Sequence, residues 1–137
     1  MKRKYVAFDI ETAANVANFR GQWRSFRPLG ITCAAALASG AEKATVWHAQ
    51  NADGTPAGRM SRAEARQVVD RLAALAAEGC TILTWNGLGF DFEVLAEESG
   101  ALAECRELAL AHVDMMFHVF CDRGYPVALD KAAKGLG

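Results

Sequence analysis

The chain alternates short apolar runs with longer stripes of helical period, and the first run carries a tension. Residues 4–12 read as a strand, with Val6, Ala7, Phe8 and Ile10 as its apolar set and Asp9 and Glu11 among them. A period of two puts both carboxylates on one side of the sheet, roughly 6.5–7 Å apart along the strand. A carboxylate buried in such a strand is costly unless it is paired or binds a cation. Two side by side raise each other's pKa unless a divalent ion cancels the charge. The plainer reading is a strand end whose acids meet water or an arginine. Residues 31–38 and 44–49 are further apolar runs, and the turn-like Ser39-Gly40-Ala41-Glu42 between them predicts an antiparallel hairpin. With the first strand this makes a meander of three.

Helical period enters after the polar loop 51–58. Ser61 and Glu64 have capping-box spacing, and Ala65, Val68, Val69, Leu72, Leu75 and Ala76 trace one apolar stripe that Gly79 ends. Residues 81–85 are then a short buried strand reached through a helix, and so parallel to a neighbour. Asn86-Gly87-Leu88-Gly89-Phe90-Asp91 leads into a short helix over 91–98 that Gly100 closes. The helix dipole alone favours an acid in a first turn, so Asp91 reads either as a cap or as part of a site. Gly87 and Gly89 either serve the turn or let backbone come close to a ligand. A helix over 102–110, a short strand over 112–116, a helix broken at Gly124-Tyr125-Pro126 and a helix over 129–136 complete the order.

That order predicts an α/β fold: a mixed five-stranded sheet, three antiparallel strands followed by parallel ones, with helices against it. Sites in such sheets form beyond the carboxyl ends of parallel strands. Asp9, Glu11 and Asp91 converge there if strand 4–12 lies beside strand 81–85.

Composition narrows the class. The 137 residues, 52% hydrophobic and 23% charged, suit a single domain that buries a core without staples. No apolar run reaches the length of a membrane span, and Lys2-Arg3-Lys4 leads straight into the strand, so a soluble cytoplasmic protein with no membrane contact is expected. The net charge of −1 excludes a global basic field of the kind that holds duplex DNA nonspecifically. Nucleic-acid contact would have to be local. The cations nearest the acidic strand are Lys2, Arg3, Lys4, Arg20, Arg24 and Arg27. Over 13–30, Phe19, Trp23 and Phe26 recur with arginines between them. Such a segment either stacks bases and holds phosphates or tucks its rings against the sheet. His48 reads as a strand-end residue. Cys33, Cys80, Cys105 and Cys121 form no Cys-x-x-Cys pair and read as small core residues in a reducing compartment, without a zinc site or disulfide framework.

Two of these stretches together carry a resemblance. Phe8-Asp9-Ile10-Glu11-Thr12 on a first strand, followed by Asn86-Gly87-Leu88-Gly89-Phe90-Asp91 at a strand-to-helix turn, resembles the DEDD superfamily of 3′–5′ exonucleases. That superfamily includes polymerase proofreading domains and RNA-trimming enzymes, and the resemblance implies a ribonuclease H-like fold. Val113-Asp114-Met115-Met116 looks like the family's short fifth strand, and residues 129–137 look like its Leu-x-x-Ala-x-x-Leu-Gly helix. The family's third motif, a fourth acid with a nearby histidine or tyrosine beyond that Leu-Gly, has no match. The expectation is therefore a single exonuclease-like domain over 1–137 that lacks this last helix, a fragment or a truncated member.

By resemblance, Asp9 bridges two divalent cations, Mg²⁺ or Mn²⁺, Glu11 holds the ion carrying the nucleophilic water, and Asp91 serves the other ion, largely through water. Carboxylate oxygens are the ligands such hard cations prefer. Asn86, Phe90 and the backbone near Thr12 would place the terminal nucleotide of a single-stranded DNA or RNA 3′ end, and a polymerase or another nucleic-acid enzyme is the implied protein partner. Three alternatives remain: a ribonuclease H-like endonuclease, a non-catalytic nucleic-acid-binding module of the same fold, and a globular domain whose acids only cap and pair.

Overall fold

Alternation along the first strand decides which face of the sheet is core. The computed structural model describes residues 2–15 and 22–135. In strand β1 (Lys4–Thr12), Val6, Phe8 and Ile10 are buried while Ala7, Asp9 and Glu11 are exposed. The apolar set of this strand is thus one-sided. Asp9 and Glu11 do not share the core with Val6 and Phe8, as a strand buried on both faces would require. Period two sends them to the open face.

Strands β2 (Ile31–Ala38) and β3 (Thr45–His48) form the expected hairpin, and β2 pairs antiparallel with β1. Strand β4 (Cys80–Thr84) pairs parallel with β1, and β5 (Val113–Asp114) pairs parallel with β4. The resulting order is β3-β2-β1-β4-β5, the mixed α/β sheet predicted. Strand β5 is shorter than the run 112–116, because Met115 already begins a helix behind Asp114.

Helix α1 (Arg62–Ala77) begins with the full capping box: the Glu64 N–H donates to Ser61 Oγ at 3.2 Å, and the Ser61 N–H donates to Glu64 Oε2 at 2.7 Å. Its stripe of Ala65, Val68, Val69, Leu72 and Leu75 is buried. Helices α2 (Asp91–Ser99) and α3 (Leu102–Ala111) pack with α1 on the same side of the sheet. Val94, Leu95, Phe92 and Cys105 join Val6, Phe8, Ile10 and Ile82 in one core. Burying a side chain of this size is worth about 1.5–3 kcal/mol each. Of the cysteines, Cys105 is buried, Cys33 and Cys80 are half-buried, and Cys121 is exposed, so the core reading holds fully for Cys105 alone.

Across the sheet, Val46, Ala35 and Asp9 stand in one row and Leu37, Ala7 and Leu83 in another. Leu37 is 45% exposed and Val46 57%, so this face is largely uncovered. Met115 of helix α4 (Met115–Arg123) and Leu129 of helix α5 (Leu129–Gly135) line a groove on this face together with Trp85, Ala7, Asp9 and Leu37. Leu136 and Gly137, expected in the last helix, lie outside the described residues, as do Phe19 and Arg20. No helix of the described residues is long and apolar enough to cross a membrane.

Candidate active site

Because β1 and β4 are parallel neighbours, their carboxyl ends open on the same edge, and the loop after β4 returns its helix over the end of β1. Asp91, in the first turn of α2, is buried at 3% exposure. Its carboxyl faces that of Asp9 closely enough for each to shift the other, and the Ile10 N–H favours the charged form of both. Burial, then the Asp9 charge, pushes Asp91 up to about 7 against the pull of those backbone donors. Asp9 is also raised, by partial desolvation, while the Ile10 N–H and the Asp91 hydrogen bond hold it down. Asp91 is thereby favoured in its protonated form beside Asp9. Like charges placed side by side in a partly buried site do not both ionise cheaply.

Glu11 lies on the same face of β1, two residues on, opposite Cys33. It does not close on the pair: among the described residues no group of three or more His, Cys, Asp or Glu side chains is gathered as a metal cage. The ladder is irregular between Glu11 and Thr12, a local break of the kind that re-aims side chains near sites. The Thr12 hydroxyl donates to the Ala14 carbonyl at 2.7 Å, and the Ala13 and Ala14 N–H groups still bond the Gly30 and Leu29 carbonyls ahead of β2.

The second motif is a tightly folded loop. Asn86 is the non-glycine residue with positive φ (64°) among the described ones, a conformation that costs about 1–3 kcal/mol unless its surroundings enforce it. Its side-chain amide makes no hydrogen bond to the described residues, while its N–H is taken by Asp114. A methyl group at Gly87 would strike the Thr84 side chain, so that glycine is a steric requirement, while one at Gly89 would meet only Asn86 Oδ1, at 2.7 Å. Phe90 precedes α2 and is braced edge-on by Trp23, ring centroids 5.0 Å apart at 78°.

Of the arginines of the 13–30 segment, the two among the described residues, Arg24 and Arg27, are paired with glutamates of α2. Trp23 and Arg24 belong to a short 3-10 turn (Trp23–Phe26), and Arg24 binds Glu93 through both carboxylate oxygens. Arg27 reaches Glu93 and Glu97. These pairs moor Arg24 and Arg27 to α2; of the rings expected against the sheet, Trp23 packs on Phe90 at the start of α2 and Phe26 is 52% exposed. Sequence reasoning missed two further buried acids. Glu98 accepts the Gly30 N–H and the Arg59 guanidinium, a scaffold role. Asp114, which the sequence shows only as part of a short strand, holds the loop of the second motif. No local spacing could show either, because their partners lie far away in the chain.

No family model matches the chain, and no curated protein matches it. Solved structures do. The family B DNA polymerase of the hyperthermophilic archaeon Pyrobaculum calidifontis is 27% identical over 75% of this chain and 12% of its own, with a TM-score of 0.50. A product-bound exonuclease I is 15% identical, with a TM-score of 0.57 over 95% of this chain and 35% of its own. E. coli exonuclease I in complex with a dT13 oligonucleotide carrying a 5cy label is 14% identical, with a TM-score of 0.55 over 95% of this chain and 33% of its own. The chain thus spans about an eighth of the polymerase and about a third of exonuclease I. Its mixed five-stranded sheet with flanking helices is an exonuclease-like, ribonuclease H-like fold.

Proposed function

We propose that this chain is a divalent-metal-dependent 3′–5′ exonuclease module, acting on phosphodiester bonds at the 3′ end of single-stranded DNA or RNA. The observation that carries this reading is the Asp9–Asp91 pair, two carboxyls placed side by side near the ends of adjacent parallel strands, with Asp91 buried. Such a pair is short of positive charge, and its hard oxygen donors suit Mg²⁺ or Mn²⁺ in place of the proton. Asp9, Glu11 and Asp91 would hold two such ions, which supply an activated water and neutralise charge on the phosphate and the leaving oxygen.

The chain's own residues set the rest. Asp91 must lose its proton for the pair to take up a cation, so binding strengthens as pH rises through about 7. The Asn86 amide, without a partner in the loop, would contact the terminal nucleotide, and Phe90, braced by Trp23, would stack on its base. The backbone near Thr12 lies at the same strand end. A polymerase or another nucleic-acid enzyme is the protein partner this reading implies. The fourth acid and general base of the DEDD pattern have no match in residues 1–137, so the polypeptide alone should bind Mn²⁺ weakly and release mononucleotides slowly or not at all.

The test is Mn²⁺ titration together with a 3′-end-labelled single strand. Weak Mn²⁺ binding that disappears in Asp9→Ala supports the reading. Rates typical of a complete enzyme would refute the incomplete site, and Mn²⁺ binding unchanged in Asp9→Ala would refute the metal role. Cutting within a circular strand would favour the endonuclease alternative. Strand binding indifferent to Asp9→Ala, Glu11→Ala and chelator would favour a non-catalytic module.

A further inference from the structure

In the loop between β4 and α2, the four N–H groups of residues 86–89 are all taken up within the fold. Asn86 and Leu88 donate to Asp114, at 2.9 Å to Oδ1 and 3.2 Å to Oδ2. Gly87 donates to Thr84 Oγ1 at 3.1 Å, and Gly89 to the Asn86 carbonyl at 3.2 Å. The Gly87 carbonyl in turn accepts the Phe92 N–H at 3.1 Å, which joins the loop to the first turn of α2. Asp114 also caps α4, its Oδ1 accepting the Met116 N–H at 3.1 Å. Capping needs one accepting oxygen; the second oxygen and a share of the first serve the loop. Hydrogen bonds to a charged acceptor are roughly twice as strong as neutral ones.

His112 stands behind this carboxylate. Its side chain is 3% exposed, and its Nδ1 lies 2.6 Å from the Ala109 carbonyl, which assigns the proton there. Its ring meets Phe92 edge-on, centroids 4.8 Å apart. Its Nε2 faces Asp114 Oδ2 at 4.0 Å and has no hydrogen-bond partner. The imidazole thus packs Asp114 and Phe92, the two ends of the path from β5 to α2, against each other.

We propose that Asp114, backed by His112, is a positioning residue that holds the Asn86–Gly89 loop and, through the Gly87–Phe92 hydrogen bond, the start of α2, so that Asp91 meets Asp9. Its purpose rests on the nuclease reading above; its mechanics do not. Strand β5 is two residues long and pairs with β4 through Val113 and Asp114, so its place in the fold serves to deliver this carboxylate.

Two substitutions separate the clamp from the cap. Asp114→Ser keeps a good N-cap for α4 but is too short to reach the Asn86 and Leu88 N–H groups. Asp114→Asn keeps one accepting oxygen and sets an amide NH₂ against the Leu88 N–H. Amide hydrogen exchange, read residue by residue in metal-free protein, is expected to rise about tenfold in Asp114→Ser at Asn86, Leu88, Phe92 and Val94, less in Asp114→Asn, and to stay within about twofold at Val68 and Val69 of α1. Acceleration confined to Asn86 and Leu88, or equal acceleration in α1, overturns the proposal. Should Asp114→Ser fail to fold, Asp114→Asn carries the same comparison. In a second arm, Mn²⁺ affinity is expected to fall about threefold or more in Asp114→Ser, and affinity equal to the parent's would overturn the link to Asp91. A parent chain that binds no Mn²⁺ counts against the nuclease reading alone, and the exchange pattern then decides the clamp.

Discussion

Asp91 is where the chemistry of single residues can be read as stability. Its carboxyl is buried beside Asp9 and titrates at about 7 in the folded chain, against 3.8 ordinarily. Between those values the folded state binds more protons than the unfolded one, so stability falls as pH rises from about 4 to about 7 and is level above that. About three pH units at 1.36 kcal/mol per unit set an upper bound of roughly 4 kcal/mol. Urea unfolding in chelator at pH 5 and pH 8 should show this decline in the parent. Asp91→Asn, neutral at both values, should remove most of it. Parallel profiles for the two proteins would mean that Asp91 is not the proton-holding member of the pair.

At the scale of elements, what could be read from the sequence was whatever depends on near neighbours. The capping box of α1, its stripe, the hairpin of β2 and β3 and the glycine stop at Gly100 all follow from residues a few positions apart. The work of Asp114 does not: its partner Asn86 lies 28 positions away, and nothing around Asp114 predicts that meeting. The Arg24–Glu93 pair spans 69 positions and is equally beyond local pattern, so the sequence alone leaves a phosphate-binding reading of that segment open. The loop before α2 shows the same division. Gly87 was visible as a turn glycine, but its real constraint is the Thr84 side chain, which a methyl group would strike. Gly87→Ala should therefore destabilise the fold by about 1–3 kcal/mol, the usual penalty for overpacking, as seen in urea midpoints. Thr84→Ala in the same background should recover part of the loss; no recovery would place the strain elsewhere.

For the whole molecule, the decisive fact is strand order. Asp9, Glu11 and Asp91 could be named from two motifs, but their convergence hung on β4 lying next to β1, which periodicity cannot supply. The structure settles that adjacency, brings Asp9 and Asp91 into contact and leaves Glu11 on the same open face without drawing it into the pair. On the proposed reading, cation binding at this site is coupled to the fold. A ligand that binds only the folded state stabilises it by RT ln(1 + [L]/Kd), about 2.7 kcal/mol at a hundredfold excess over Kd. Protons compete for the same oxygens, so at pH 5 Asp91 keeps its proton and Mn²⁺ should raise the melting temperature little. At pH 8 the pair is ionised and repelling, and the same Mn²⁺ should raise Tm by several degrees while offsetting the instability seen in chelator. Asp9→Ala should abolish the rise at both values, because it leaves Asp91 without the partner that makes the pair a cation site. A rise of equal size at pH 5 and pH 8, or one that survives Asp9→Ala, would locate cation binding away from the ends of β1 and β4.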